Sequence, residues 1–117
     1  MTSNAGIHVD FSSNVHTEKL SPDVSIVIFR ILQEALTNIA RHANATKVVC
    51  TLEKSEQKVL LKISDDGSGF DINAQSERKT LGLLGMKERV AMLNGLYNIV
   101  SQVGKGTTVF VSVPIPM

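Results

Sequence analysis

The segment Asp65-Asp66-Gly67-Ser68-Gly69-Phe70 places two carboxylates and two glycines at the end of an apolar alternation. That alternation consists of Val59, Leu61 and Ile63. Because side chains on a strand point to alternate faces, Asp65 continues the buried set and Asp66 does not. A buried carboxylate is costly without a hydrogen-bond donor, and the exocyclic amine of adenine is a donor of suitable shape. Glycine lets backbone approach a flat ring closely. The competing interpretation is an ordinary turn, in which Asp-Gly is common.

A second set of polar residues has helical spacing. Glu34, Asn38 and His42 follow one another at intervals of four, so a helix would carry them on one stripe beside its apolar face. The neutral oxygen of Asn38 suits Mg²⁺ beside phosphates, because this ion keeps several waters and takes few protein ligands. Glu34 could orient a water or act as a base. His42 is either a hydrogen-bonded histidine at the edge of the core or a phosphate contact. The whole stripe could also be a solvated helix edge.

Two further segments contain glycine and threonine residues at positions that could serve a ligand. Thr80-Leu81-Gly82-Leu83-Leu84-Gly85-Met86 opens a predicted helix, and backbone N–H groups at a helix start form a site for phosphate. In Gly104-Lys105-Gly106-Thr107, the threonine is in phase with a run of alternating valines and points to the same buried side as Asp65. Taken singly, the first segment is weak evidence and the second is compatible with a plain β-turn.

The hydrophobic pattern predicts the elements that position these residues. Strands are predicted at about 7–12, 47–53, 58–65, 96–103 and 107–113, and helices at about 22–43 and 83–93. Ser21-Pro22-Asp23 is typical of a helix start, and Asn44 and Asn94-Gly95 are typical of helix ends. This order predicts a two-layer α/β sandwich, with the helices on one face of a mostly antiparallel mixed sheet.

Bulk properties limit the class of protein. The chain has 117 residues and a formal net charge of +1, which favours one domain and argues against a nucleic-acid or anionic membrane partner. One cysteine, Cys50, excludes an intramolecular disulfide, and its phase with neighbouring apolar residues predicts burial. One cysteine and three scattered histidines show no metal-ligand spacing. We find no membrane-length apolar run and no signal peptide, so we expect a cytoplasmic domain whose parent could be membrane-anchored.

Together and in this order, the four segments resemble the nucleotide-binding boxes of the gyrase–Hsp90–histidine-kinase–MutL ATPase superfamily. Arg30-Ile31-Leu32-Gln33-Glu34-Ala35-Leu36-Thr37-Asn38, Arg41-His42-Ala43 and Gly85-Met86-Lys87-Glu88-Arg89-Val90 narrow the resemblance. They are similar to the catalytic ATP-binding domain of sensor histidine kinases, in the subfamily that partners LuxR/NarL-type response regulators. The resemblance extends from about Ile7 to Pro114.

The resemblance implies a Bergerat-type ATP-binding fold that holds Mg-ATP under a mobile lid at about 66–82. It implies that Asp65 binds the adenine amine with Thr107 assisting through water, that Asn38 coordinates Mg²⁺, and that Glu34 is the catalytic acidic residue nearby. The expected nucleotide-binding set is Asn38, His42, Asp65, Gly67, Gly69, Gly82, Leu83, Leu84, Gly85 and Thr107. Asp66 is expected to be a lid residue that is free to vary. The chain departs from many relatives at Asn94 and at Leu81.

A histidine kinase also needs a phosphoacceptor histidine, usually on a dimerising two-helix segment. None of His8, His16 and His42 stands in such a segment. We therefore expect a catalytic domain alone, with a ragged start at 1–5, that delivers the γ-phosphate to a histidine on a separate dimerisation domain of the same kinase.

Two other classes of function stay open. An anti-sigma-type serine kinase or a stand-alone ATPase of the same superfamily would use the same pocket without a linked histidine. A degenerate fold used only for protein contacts would have lost the nucleotide, and intact Glu34, Asn38, Asp65 and Thr107 argue against it.

Overall fold

In the part of the chain that the structure describes, five strands and two helices follow one another in the predicted order. They are β1 (His8–Ser13), α1 (Pro22–His42), β2 (Lys47–Ser55), β3 (Lys58–Asp65), α2 (Leu83–Met92), β4 (Leu96–Ser101) and β5 (Thr107–Pro114). The computed structural model describes residues 7–15, 20–42, 44–71, 73–74 and 82–115, and of His42 the backbone alone. The predictions made for residues 1–5, His16, Ala43, Thr80 and Leu81 lie outside this description.

One mixed sheet contains all five strands in the order β1-β2-β3-β5-β4. β1 runs parallel to β2, and the remaining neighbours are antiparallel. A parallel pair needs a long crossover connection, and α1 lies between β1 and β2 in the chain. The predicted α/β sandwich with a mostly antiparallel sheet is therefore confirmed.

The core lies on the face of the sheet that α1 and α2 cover. Its buried side chains alternate along the strands and recur every three or four residues along α1, as the two periodicities require. They include Ile28, Ile31, Ala35, Val48, Cys50, Leu52, Val59, Leu61, Ile63, Met86, Val90, Val109, Val111 and Val113. Cys50 is fully buried in this core, as predicted, and its burial raises the pKa of the thiol to about 11.

Strand β1 departs from the simple alternation. Ile7 is buried and His8 is exposed as predicted, but Phe11 is 49% exposed. β1 is an edge strand, with a neighbour on one side only, so its far end receives less cover from the helix layer.

The ends of the helices agree with the signals in the sequence. The Val24 N–H donates to Ser21 Oγ at 3.3 Å, which is the predicted N-cap of α1. After α2, Asn94 adopts a φ of 59°, and Asn94 and Gly95 donate to the Ala91 and Val90 carbonyls at 3.0 Å each. This is a Schellman arrangement, and asparagine is one of the few residues with a side chain that tolerate the left-handed conformation it requires. β4 ends at Ser101, two residues earlier than predicted.

Candidate functional site

Asp65 is the last residue of β3, and its side chain lies on the buried face of the sheet. It is 9% exposed, and its Oδ1 accepts a hydrogen bond from the Gly67 N–H at 2.8 Å. Burial raises the pKa of this carboxyl, while hydrogen bonds from the Gly67 and Thr107 backbone N–H groups lower it and the nearby charge of Asp66 adds to the increase. Thr107 stands opposite Asp65 in the β3–β5 ladder. The predicted placement of both residues at one end of the buried face is therefore confirmed.

Ser101 at the end of β4 completes this cluster, and the sequence analysis missed it. The side chain is 7% exposed. Its Oγ accepts the Phe70 N–H at 2.9 Å and lies 2.7 Å from Thr107 Oγ1 and 3.3 Å from the Gly106 carbonyl oxygen. The signal was present, since Ser101 continues the half-buried alternation of Tyr97 and Ile99, just as Asp65 continues that of β3.

The segment after Asp65 packs tightly against the turn between β4 and β5. A Cβ at Gly69, whose φ is 67°, would collide with the Gln102 carbonyl oxygen. A Cβ at Gly106, whose φ is 78°, would collide with the Asp65 carbonyl oxygen. The Gly104 N–H donates to the Ser68 carbonyl. These close backbone approaches require glycine at positions 69 and 106.

Asp66 was expected to be free to vary, and the structure shows that this expectation is wrong. Its Oδ1 accepts the backbone N–H groups of Thr46 and Lys47 at 2.9 and 3.0 Å, and its Oδ2 accepts the Thr46 hydroxyl at 2.6 Å. These bonds lower the pKa of the carboxyl to about 2, the Thr46 hydroxyl contributing most. The hydrogen bonds of Asp66 therefore link the end of β3 to the connection between α1 and β2.

Glu34 on α1 meets the start of α2. Gly82 is the N-cap of α2 in the left-handed conformation, with a φ of 69°. A Cβ added there would lie 2.6 Å from Glu34 Oε1. The structure thus brings together Glu34 and Gly82, which were predicted to belong to one site from segments almost fifty residues apart.

The remaining predicted site residues have varied environments. Asn38 is half-buried one turn after Glu34 on α1. Leu83 is buried in the core, Leu84 is 65% exposed, and a Cβ on Gly85 would meet no atom within 4 Å. Leu83 can therefore serve a ligand only through its backbone, and His42 is described in its backbone alone.

The donors of this site suit a hard cation bound beside phosphates. Asn38 offers an amide oxygen and Glu34 a carboxylate, and Mg²⁺ takes such ligands while keeping several waters. Within the described residues, histidine, cysteine and acidic side chains form no cluster of three or more that could hold a metal by itself. Neither helix in the described part of the chain has the length and apolar character needed to cross a membrane.

The chain is similar to known ATPase and kinase proteins over most of its length. Residues 23–117 match the family described as histidine kinase-, DNA gyrase B-, and HSP90-like ATPase. The oxygen sensor histidine kinase NreB of Staphylococcus carnosus is 37% identical over 112 residues, which are 96% of this chain and 32% of that protein. The histidine-protein kinase/phosphatase DegS of Brevibacillus brevis is 42% identical over 114 residues, which are 96% of this chain and 29% of that protein. The chain therefore spans about a third of the length of these relatives.

Solved structures share the fold at lower identity. The blue-light activated histidine kinase of Erythrobacter litoralis superposes with a TM-score of 0.75 at 22% identity, covering 94% of this chain and 36% of that one. The histidine kinase AdeS of Acinetobacter baumannii gives a TM-score of 0.74 at 20% identity, covering 97% of this chain and 56% of that one.

Proposed function

This chain belongs to the histidine kinase-, DNA gyrase B-, and HSP90-like ATPase family, and we propose that it is the Mg-ATP-binding catalytic domain of a cytoplasmic sensor kinase. In this role it delivers the γ-phosphate to a histidine on a separate dimerisation domain, for relay to a LuxR/NarL-type response regulator. The observation that carries the proposal is Asp65, a buried carboxylate at the end of a central strand with a raised pKa.

Asp65 and its neighbours account for recognition of the base. One carboxylate oxygen accepts the Gly67 N–H, and the carboxylate has further lone pairs that can accept the exocyclic amine of adenine. The backbone of the segment 67–70 is held against the β4–β5 turn, which gives the ring a fixed surface. An amine donor would offset the cost of burying this charge, whereas a carbonyl at the same place would be repelled.

The phosphates are assigned to the region between α1 and the start of α2. The first N–H groups of α2, beginning at Leu83, have no partner within the helix and lie at its positive end. Asn38 is the residue that would hold Mg²⁺, with Glu34 one turn before it. When bound, the ion neutralises charge on the phosphate oxygens.

Phosphoryl transfer would then follow from positioning. A nitrogen of the acceptor imidazole bonds to the γ-phosphorus as the bond to the ADP oxygen breaks, and ADP leaves with that electron pair. Glu34 is the carboxylate that can accept the proton displaced from the imidazole. The names of the relatives favour a histidine acceptor over the serine acceptor of an anti-sigma-type kinase.

The proposal is tested by calorimetric titration with a non-hydrolysable ATP analogue, with and without Mg²⁺. We expect saturable binding, and we expect Asp65→Ala to weaken it by about 1–3 kcal/mol, or roughly 5- to 150-fold, because the adenine amine loses its acceptor. Asp10→Ala is the matched control, since it removes an exposed carboxylate from β1. Equal affinity of Asp65→Ala and the wild type would exclude the adenine assignment, and an absence of binding to the wild type would exclude the function.

A further inference from the structure

Asp66 stands where the pairing of β2 with β3 would otherwise continue. The last pair of this ladder joins Val48 and Asp65, so the same register places Lys47 opposite Asp66. The Asp66 N–H donates to the Lys47 carbonyl at 3.3 Å, as a continuing antiparallel ladder requires. The Lys47 N–H, however, donates at 3.0 Å to the side-chain Oδ1 of Asp66. The carboxylate therefore takes the place of the residue's own carbonyl, and the main chain can leave the sheet after this residue.

The main chain turns back immediately after Asp66. The N–H of the buried Gly67 donates to Asp65 Oδ1 at 2.8 Å, a bond that depends on a turn at residue 66. In an extended strand the N–H groups lie in the plane of the sheet, whereas the side chains stand perpendicular to it. The turn therefore brings together a donor and an acceptor that a continued strand would keep apart.

The carboxylate of Asp66 is held in place although it is exposed. Thr46 supplies two further bonds, because its N–H donates to Oδ1 at 2.9 Å and its hydroxyl donates to Oδ2 at 2.6 Å. Ordering an exposed side chain costs conformational entropy, and three charge-assisted hydrogen bonds offset that cost. Since the side chain is exposed, its truncation leaves no cavity in the core, and any effect on binding comes from the lost hydrogen bonds.

We propose that Asp66 is a positioning residue for selection of the base, because its three hydrogen bonds maintain the turn that places the Gly67 N–H on Asp65. This inference rests on the proposed function, since it assumes that Asp65 accepts the exocyclic amine of adenine. With one oxygen bonded to Gly67, the carboxylate of Asp65 keeps one orientation, and its remaining lone pairs serve the amine. The side chain of Asp66 belongs to the opposite face of the strand and acts through its neighbour rather than on the base.

The orientation of Asp65 matters because purines present their donors at different places. Adenine has an amine at C6 beside an N1 that accepts, whereas hypoxanthine, the base of ITP, has a carbonyl at C6 beside an N1 that carries a proton. A carboxylate held in the orientation that suits the amine meets the carbonyl of hypoxanthine and is repelled. A carboxylate that is free to turn can accept the N1 proton instead. Loss of the turn should therefore reduce the discrimination between the two bases.

The test compares ATP with ITP by competitive titration on this chain in the presence of Mg²⁺. We expect the wild type to prefer ATP roughly tenfold or more, and Asp65→Ala to bring the ratio of the two affinities close to one. Asp66→Ala should reduce the ratio to roughly threefold or less. Asp66→Asn should restore most of it, because the amide oxygen accepts the Thr46 and Lys47 N–H groups and the amide nitrogen donates to the Thr46 hydroxyl. Adding Asp66→Ala to Asp65→Ala should leave the ratio unchanged, since the carboxylate on which Asp66 acts is already absent.

Asn14→Ala is the matched control. The exposed Asn14 accepts the Lys54 N–H at 2.8 Å through its side-chain oxygen, so this variant removes the same kind of bond from the other end of β2. It should keep the wild-type ratio. If Asp66→Ala does not fold, Thr46→Val removes only the hydroxyl that donates to Oδ2, and it should give a ratio between those of the wild type and Asp65→Ala.

Three results would overturn the inference alone. An unchanged ratio in Asp66→Ala, or in Thr46→Val where that variant replaces it, would show that Asp66 is only structural, whatever the general loss of affinity. An equal reduction of the ratio in Asn14→Ala would show that the effect is not specific. A ratio in Asp66→Asn as low as that in Asp66→Ala would show that the hydrogen bonds are not its cause. A wild type that binds ATP and ITP equally would refute the adenine assignment as well, and one that binds neither would refute the proposed function.

Discussion

Gly82 lies directly against the carboxylate of Glu34, so that a Cβ on residue 82 would stand 2.6 Å from Oε1. The φ of 69° at Gly82 adds a second reason for glycine, because this conformation is unfavourable for residues with a side chain. A side chain at residue 82 would therefore have to displace the proposed catalytic carboxylate.

The first prediction concerns this contact. Gly82→Ala should destabilise the chain by about 1–2 kcal/mol through backbone strain and displacement of Glu34, as measured by urea unfolding. In the background of Glu34→Ala the steric part disappears and only the strain remains, so the two changes should not be additive.

Gly85→Ala is the control for that experiment. Gly85 lies within α2, and an added Cβ would meet no atom within 4 Å. The change should therefore stabilise the helix by about 0.5–1 kcal/mol relative to glycine. Additive effects of Gly82→Ala and Glu34→Ala would contradict the proposed contact.

The second prediction concerns the raised pKa of Asp65. Because the folded state holds this proton more tightly than the unfolded state, the group's contribution favours folding at low pH. That contribution is lost as the pH rises from the unfolded pKa, near 3.8, through the raised folded pKa. Asp65→Asn removes the ionisable group, so the ligand-free variant should gain stability relative to the wild type as the pH rises through that window.

Binding of ATP should show the opposite pH dependence to this contribution. The adenine amine bonds best to the charged carboxylate, so the affinity of the wild type should rise with pH over the same window. Parallel unfolding and titration series would check both trends. A ligand-free Asp65→Asn variant that is less stable than the wild type at neutral pH would show that the charge is already compensated.

The third prediction concerns Asp66, whose pKa is lowered to about 2 by the Thr46 hydroxyl and by two backbone N–H groups. Here the folded state holds the proton less tightly, so the stabilisation is present above the unfolded pKa of about 3.8 and is lost as the pH falls towards 2. Asp66→Asn should therefore be less stable than the wild type at neutral pH, and the difference should shrink below about pH 4. A pH-independent difference between the two proteins would argue against the ionic contribution.

Strand phase predicted the parts of the site that depend on which way a side chain points. Asp65, Thr107 and Cys50 could be placed because each continues an apolar alternation, and that periodicity follows from backbone geometry alone. Ser101 carried the same signal on β4, but its three contacts come from different segments, and only the folded chain brings them together.

The hydrogen bonds of Asp66 could not be predicted from the alternation of side chains along β3. Its partner Thr46 is 20 residues away in the sequence and precedes a different strand, so the contact depends on the register between β2 and β3. The roles of the glycines also depend on contacts between distant segments, which the sequence alone does not give. Spacing alone assigned Gly69 and Gly85 similar roles. In the structure, a Cβ at residue 69 would collide with the Gln102 carbonyl oxygen, whereas a Cβ at residue 85 would meet no atom within 4 Å.

The fourth prediction concerns the metal. Asn38→Ala should reduce the difference in affinity between Mg-ATP and metal-free ATP, because the amide oxygen of the half-buried Asn38 is the proposed protein ligand. Titrations with and without Mg²⁺ would measure that difference. Asn98→Ala removes an exposed amide from β4, and this control should leave the difference unchanged. Equal binding of the two nucleotide forms by the wild type would refute the role of Asn38.

The fifth prediction concerns Tyr97, which lies far along β4 from Ser101. Among the residues that the structure describes, its hydroxyl is buried without a hydrogen-bond partner, and burial raises its pKa to about 12. Because no hydrogen bond offsets the desolvation of this buried hydroxyl, Tyr97→Phe should leave the free energy of unfolding unchanged or raise it by about 1 kcal/mol in urea unfolding. ATP affinity should not change, because Tyr97 pairs with Val111 rather than with the residues around Asp65.

A loss of stability would mean that the hydroxyl has a partner in solution, such as a bound water. Unaltered nucleotide binding together with a more stable chain would show that Tyr97 contributes to packing and not to the ligand site.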